Sequence, residues 1–225
     1  LIYFREETAA LTRGGLDTLM LKTSADRTLF LQIAAATVPI VVIGGIFALT
    51  GLIDTVRSPV VIGWAFIIFG LFLWHADKSP AAKGDLRQLT WRDSMLIGAA
   101  QVIAVIPGSS RSGVTMTAAR YLGWSRTEAA RFSMLIAIPT ILVSGLFAAL
   151  SLASSSEPVA ATAGVQSGPT VALIVAALSF LSALSAIAVF MRLTRSMSFT
   201  PFVIYRIIIG VILLMSAGRI GEGGL

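Results

Sequence analysis

Five stretches of the chain, at about 29–50, 58–75, 132–152, 169–190 and 200–218, stay apolar for the length of a membrane crossing. A helix needs roughly 20 such residues, at about 1.5 Å each, to pass the ~30 Å hydrocarbon layer. Water is absent there, so every backbone polar group in these stretches must be satisfied within the protein. The expected fold class is therefore an all-α integral membrane protein, in one polytopic domain over 1–225. Composition agrees: the 225 residues are 56% hydrophobic and 12% charged, with mean hydropathy +0.88, a surface that a soluble domain could not keep in water. Pro59, Pro169 and Pro201 stand where helices begin, at positions where a missing N–H costs nothing. Pro39 and Pro139 fall inside apolar runs and are expected to kink them.

Residues 94–122 behave differently. Ser94–Val105 and Ser112–Leu122 are each too short to span, and PGSSRSG (Pro107–Gly113) separates them. A half-helix of about 12 residues is ~18 Å long, enough to reach the middle of a bilayer and stop. The economical expectation is a re-entrant helix-loop-helix that enters and leaves on one side. Irregular backbone is tolerated at that depth only where protein or a polar cavity surrounds it. Charge supports this. There are 17 Lys+Arg against 11 Asp+Glu, a net charge of +6, and the cations sit in the short loops. With residues 1–28 cytoplasmic and 94–122 returning, only Arg57 and Arg219 remain outside, as the positive-inside rule prefers. That distribution orients a membrane protein and calls for no nucleic-acid partner. The Ser-, Ala- and Gly-rich stretch 153–168 then forms an outer linker. Pro39, Gly45, Phe47 and Ala48 match Pro139, Gly145, Phe147 and Ala148 at constant offset, a faint repeat that shared packing needs also produce. The absence of cysteine excludes disulfides and thiolate chemistry.

The stretch PGSSRSGVT (Pro107–Thr115) carries the chemistry. Gly108 and Gly113 permit unusual backbone angles. Ser109, Ser110, Ser112 and Thr115 supply hydroxyls, and Arg111 adds a permanent charge with a fork suited to two phosphate oxygens. Ser112 stands where the N-cap of the following helix is expected, so free N–H groups, hydroxyls and guanidinium converge on one anion. The alternative is a polar turn with Arg111 snorkelling to the interface, which leaves a costly arginine at the tip of the hairpin. Gln101, on the half-helix leading in, either orients a loop or phosphate oxygen or packs helices together. Arg206, beside Tyr205 in the last helix, reads as a snorkelling interface anchor in preference to a ligand. His75, next to Trp74 and Asp77, reads as interfacial. Arg126, Glu128 and Arg131 read as the charged first turns of the helix after the hairpin. All 11 acids lie in loops or helix ends, so the carboxylate or histidine that phosphoryl transfer uses to activate a nucleophile or hold a metal is not at membrane depth. Broken helices aimed at an anion are equally a transporter device, so a transporter or flippase of a phosphorylated lipid or anion is the alternative to an enzyme.

PGSSRSGVT is similar to the PGxSRSxxT signature of the undecaprenyl-diphosphatase, or bacitracin-resistance, family. Gly98-Ala99-Ala100-Gln101, Arg131-Phe132-Ser133, Ala137-Ile138-Pro139, the opening Tyr3-Phe4-Arg5-Glu6 and Phe202-Val203-Ile204-Tyr205-Arg206 resemble the same family, so the likeness covers nearly the whole chain. The resemblance implies a phosphatase of the bacterial inner (cytoplasmic) membrane. It would convert the C55 isoprenyl diphosphate carrier lipid to the monophosphate for reuse in cell-wall synthesis. It also implies an inverted-repeat fold, an isoprenyl diphosphate lipid as partner, a divalent cation (Mg2+ or Ca2+), and admits a homodimer. Carried over, Arg111, Ser110 and Thr115 are the expected catalytic residues, with Gly108, Ser109, Ser112, Gly113 and Gln101 around the phosphate. The family's other motif holds paired glutamates, serines and a histidine, and precedes the helix that ends here at Tyr3-Phe4. Leu1–Phe4 reads as the tail of that apolar helix, so an N-terminal part bearing the base, nucleophile and metal ligands is expected before it.

Overall fold

The computed structural model describes residues 3–154 and 169–222. Most of the expected outer linker, 155–168, and Leu1–Ile2 of the expected apolar tail lie outside the described residues. Among those described, every regular element is helical, with one isolated bridge between Lys83 and Trp124. The helices are α1 (Arg5–Leu19), α2 (Ala25–Thr50), the one-turn α3 (Leu52–Thr55), α4 (Pro59–Asp77), α5 (Trp91–Gln101), α6 (Arg111–Tyr121), α7 (Arg126–Ser154), α8 (Pro169–Ser196) and α9 (Thr200–Glu222). A 3-10 turn over Val102–Val105 continues α5 toward the loop.

Among the described residues, five helices are long and apolar enough to cross a membrane: Ala25–Thr50, Pro59–Asp77, Arg126–Phe147, Leu173–Ser196 and Thr200–Ala217. Each expected run is present, and each helix extends past its apolar core into polar ends. Local chemistry sets the starts. The Ser24 hydroxyl accepts from Arg27 N at 3.0 Å, Ser58 from Val61 N at 3.1 Å, and Thr90 from Asp93 N at 3.1 Å, capping α2, α4 and α5. Pro59 and Pro169 open α4 and α8, while Pro39 and Pro139 lie inside α2 and α7.

Small residues let the helices close on one another. A Cβ on Gly210 of α9 would stand 2.8 Å from the Gly63 carbonyl of α4, and a Cβ on Gly63 would stand 3.0 Å from the Gly210 carbonyl. The two backbones therefore meet directly, the packing mode that replaces hydrophobic driving force inside lipid. Gly98 of α5 presses in the same way on Ala36 of α2. One apolar cluster (Ile33, Ala36, Ile97, Phe132, Leu135, Ile136) joins α2, α5 and α7, and a second (Leu73, Met116, Ala130, Met191, Phe199, Val203) joins α4, α6, α7, α8 and α9. On α8, Leu173, Ile174, Val175, Leu178, Phe180 and Leu181 are all exposed, as a lipid-covered helix requires.

The hairpin is built by α5 and α6, each 11 residues and so about 16 Å long, half a bilayer core. Its two outer ends are tied together. Ala82 N and Lys83 N donate to the Gly123 carbonyl at 2.8 and 3.0 Å, Ser125 N donates to the Lys83 carbonyl at 2.8 Å, and Lys83 Nζ meets Asp93 Oδ2 at 2.8 Å. The chain thus enters α5 and leaves α6 at one place, with the loop at the far tip.

Candidate functional site

The loop starts where Ile106 N donates to the Ile103 carbonyl at 3.0 Å and Ser109 N to the Ile106 carbonyl at 3.2 Å. Gly108 has φ +88°, and a Cβ there would stand 2.6 Å from the Ile62 carbonyl of α4, so only glycine fits. Ser110 follows with φ +66°, a left-handed conformation that costs a residue with a Cβ and that clusters at functional sites. Its hydroxyl accepts from Gly113 N at 3.2 Å, making Ser110 the N-cap of α6. This corrects the expectation for Ser112. The left-handed turn at Ser110 ends the loop early, Arg111 becomes the first helical residue, and the Ser112 hydroxyl stands beside the cap, 3.4 Å from Ser110 Oγ.

The hydroxyls divide into two sets. Ser109 is fully buried and its Oγ lies 2.7 Å from the Ile106 carbonyl and 3.1 Å from the Ile103 carbonyl, so it donates within the loop. Thr115 is buried too, its Oγ1 lying 2.9 and 3.1 Å from the Arg111 and Ser112 carbonyls and 2.7 Å from the buried Ser133 Oγ of α7. Ser110 and Ser112 are only partly buried, as is Arg111, whose side chain makes no hydrogen bond or ion pair among the described residues. The open face of the loop thus carries two hydroxyls, one uncommitted guanidinium and the N-terminus of α6. Gln101 is fully buried at the end of α5, and neither of its amide atoms has a hydrogen-bond partner among the described residues.

Arg206 overturns its reading as a snorkelling anchor. It is 6% exposed, and its Nη2 donates to the Gly108 and Ser109 carbonyls at 2.9 Å each. Its stem crosses Gly70 of α4, where a Cβ would stand 3.4 Å from Arg206 Cβ, and the guanidinium lies 5.2 Å from the Phe66 ring. The close approach of α4 and α9 leaves the side chain in the bundle, where the loop carbonyls capture it. One signal was available: an arginine within a spanning segment is expensive and needs a partner.

A second group of charges gathers at the other end of the hairpin, with Asp77 about 22 Å along α4 from Ile62 at ~1.5 Å per residue. Buried Asp77 accepts from Phe199 N at 3.0 Å and from Arg126 Nε at 2.5 Å, while Arg120 donates to the carbonyls of Asp77, Ser79 and Trp124. Arg131 pairs with Glu7 and Glu128. His75 Nδ1 lies 2.8 Å from the Tyr121 hydroxyl in an exposed position. Arg126, Glu128 and Arg131 do form the charged first turns of α7, and their partners are structural. Among the described residues no three His, Asp or Glu side chains come together to hold an ion. These residues therefore do not by themselves fit a divalent cation.

A bundle of membrane-crossing helices that holds a hydroxyl- and arginine-bearing turn at the tip of a helical hairpin defines a multi-pass membrane protein, with that turn as its candidate functional site. The chain belongs to the bacitracin resistance protein BacA family, whose model matches residues 1–212. It is 42% identical over 219 residues to an undecaprenyl-diphosphatase of Jannaschia sp., covering 96% of this chain and 79% of the relative. An undecaprenyl-diphosphatase of Maricaulis maris is 43% identical over 215 residues, covering 96% and 78%. One from Ruegeria pomeroyi is 44% identical over 186 residues, covering 83% and 67%.

Proposed function

We propose that this protein dephosphorylates undecaprenyl diphosphate to undecaprenyl phosphate, acting as a membrane-embedded phosphatase. The carrying observation is Arg111, half-buried at the first turn of α6, uncommitted, and flanked by the Ser110 and Ser112 hydroxyls. Water adds to the terminal phosphorus, the anhydride P–O bond breaks, and the products are the lipid monophosphate and inorganic phosphate. Negative charge builds on the terminal phosphoryl oxygens as this happens. A guanidinium fork, two hydroxyls and the α6 N-terminus meet that charge more strongly in the transition state than in the bound lipid. The apolar flanks of the bundle suit the isoprenyl chain. The relatives carry the name of a hydrolase, and no feature of the site favours the transporter or flippase alternative.

Three finer points belong to the same proposal. Lys and Arg in the short loops support an inner-membrane location with residues 1–28 cytoplasmic and 94–122 re-entrant. A homodimer is admitted by the family resemblance, and cysteine cross-linking along the exposed face of α8 would test it. The divalent cation rests on the family resemblance alone. The decisive assay follows inorganic phosphate released from C55 diphosphate by the purified product of the complete reading frame. One phosphate per lipid and none from the monophosphate is expected; no release at all would refute the function.

A further inference from the structure

Two carbonyl oxygens at the tip of an anion-binding loop are a liability, because each presents negative charge beside the phosphate. Here Arg206 Nη2 engages both, at Gly108 and Ser109, 2.9 Å from each. A trans peptide sets its N–H opposite to its C=O, so turning the Ser109 carbonyl onto Arg206 turns the Ser110 N–H the other way. That amide opens the left-handed residue that caps α6, and no backbone or side-chain acceptor takes its proton among the described residues. The guanidinium also abuts the first turn of α6: a Cβ on Gly113 would stand 3.4 Å from Arg206 Nη1 and 3.3 Å from Ser110 Oγ. Burial is nearly complete, and Gly70 and Phe66 of α4 close the other sides.

We infer that Arg206 is the positioning residue of the phosphate loop. It neutralises the Gly108 and Ser109 carbonyls and holds the Ser110 amide toward the anion, while Arg111 makes the direct contact. This rests on the phosphatase reading for its substrate, but the geometry assigns Arg206 its role for any phosphoryl anion in the loop. The two arginines then differ in what can replace them. Holding two carbonyls needs donors and charge, which a lysine ammonium supplies, whereas gripping a phosphate by its edge needs the planar fork.

The test compares Arg206→Met, Arg206→Lys and Arg111→Lys in the detergent-solubilised product of the complete reading frame. Pyrophosphate binding is read by calorimetry and C55 diphosphate turnover by phosphate release. Arg206→Met should weaken pyrophosphate binding about tenfold and lower kcat about a hundredfold, since loop shape matters most in the transition state. Arg206→Lys should regain most of both, and Arg111→Lys neither. If Arg206→Met does not insert, Arg206→Gln keeps one donor for one carbonyl and should fall between Lys and the loss seen for Arg111→Lys. Wild-type binding and turnover in Arg206→Met, or in Arg206→Gln, overturns the inference, and so does a lysine variant as poor as methionine. Arg206-dependent pyrophosphate binding without C55 diphosphate turnover by the wild type would sink the phosphatase reading and leave the positioning role standing. Absence of pyrophosphate binding in the wild type would overturn both.

Discussion

Replacing Thr115 by valine keeps its shape and removes the hydroxyl that joins α6 to α7. Thr115 is 1% exposed, and its Oγ1 stands 2.7 Å from Oγ of Ser133, a residue 2% exposed. Valine strands the Ser133 hydroxyl in a dry site, which costs about 1–3 kcal/mol. Ser133→Ala is milder, about 0.5–1.5 kcal/mol, because Thr115 Oγ1 keeps the Arg111 and Ser112 carbonyls as acceptors. With both hydroxyls gone, no stranded group remains. The double variant should therefore be about as stable as Thr115→Val alone, with a coupling of roughly 0.5–1.5 kcal/mol. In a chain of this size that places the Thr115→Val unfolding midpoint ~2–12 °C below wild type. Thermal unfolding in detergent, followed by tryptophan fluorescence, gives all four corners of the cycle. Strictly additive losses would refute the claim that these hydroxyls serve each other. Turnover should follow the same pattern, since both side chains hold the first turn of α6 beneath the proposed phosphate site.

Other outcomes follow from the loop and from the charges. Ser110→Ala removes both the α6 cap and a hydroxyl at the anion; it should lower turnover roughly tenfold to a hundredfold with the protein still inserted, a range that matches about 1.5–3 kcal/mol for a bond to a charged group. Wild-type turnover there would mean that the loop is not the phosphate cradle. For topology, cysteines introduced at Lys83 and Arg195 should label from the cytoplasm and one at Ser155 from outside. Labelling of the first two from opposite sides would rule out a re-entrant 94–122.

What was legible in the sequence tracks how local the cause is. The five crossings were readable because each is a continuous apolar run, and the starts of α4 and α8 because Pro59 and Pro169 act within one turn. The hairpin was readable from the length of its halves. The cap was misplaced by two residues because nothing in PGSSRSG announces that Ser110, a non-glycine residue, takes positive φ. Arg206 was misread for a different reason. Its partners are 97 and 98 residues away in sequence, and it reaches them only because Gly63 and Gly210 let α4 and α9 touch. Asp77 looked like an ordinary helix-end acid. Its burial under Arg126 and Phe199 N depends on how α7 and α9 begin, 49 and 122 residues later.

The central claim is that Arg111 grips the transferring phosphoryl group with its planar fork. Arg111→Lys keeps the charge, and because Arg111 makes no hydrogen bond or ion pair among the described residues, the substitution disturbs none there. The variant should insert normally, and any loss should appear in the rate. Phosphate release from C55 diphosphate by purified Arg111→Lys should fall at least a hundredfold, with Arg111→Ala lower still. Near wild-type release by the lysine variant, with Arg111→Ala losing insertion more than rate, would mean that Arg111 only anchors the hairpin and would contradict the account.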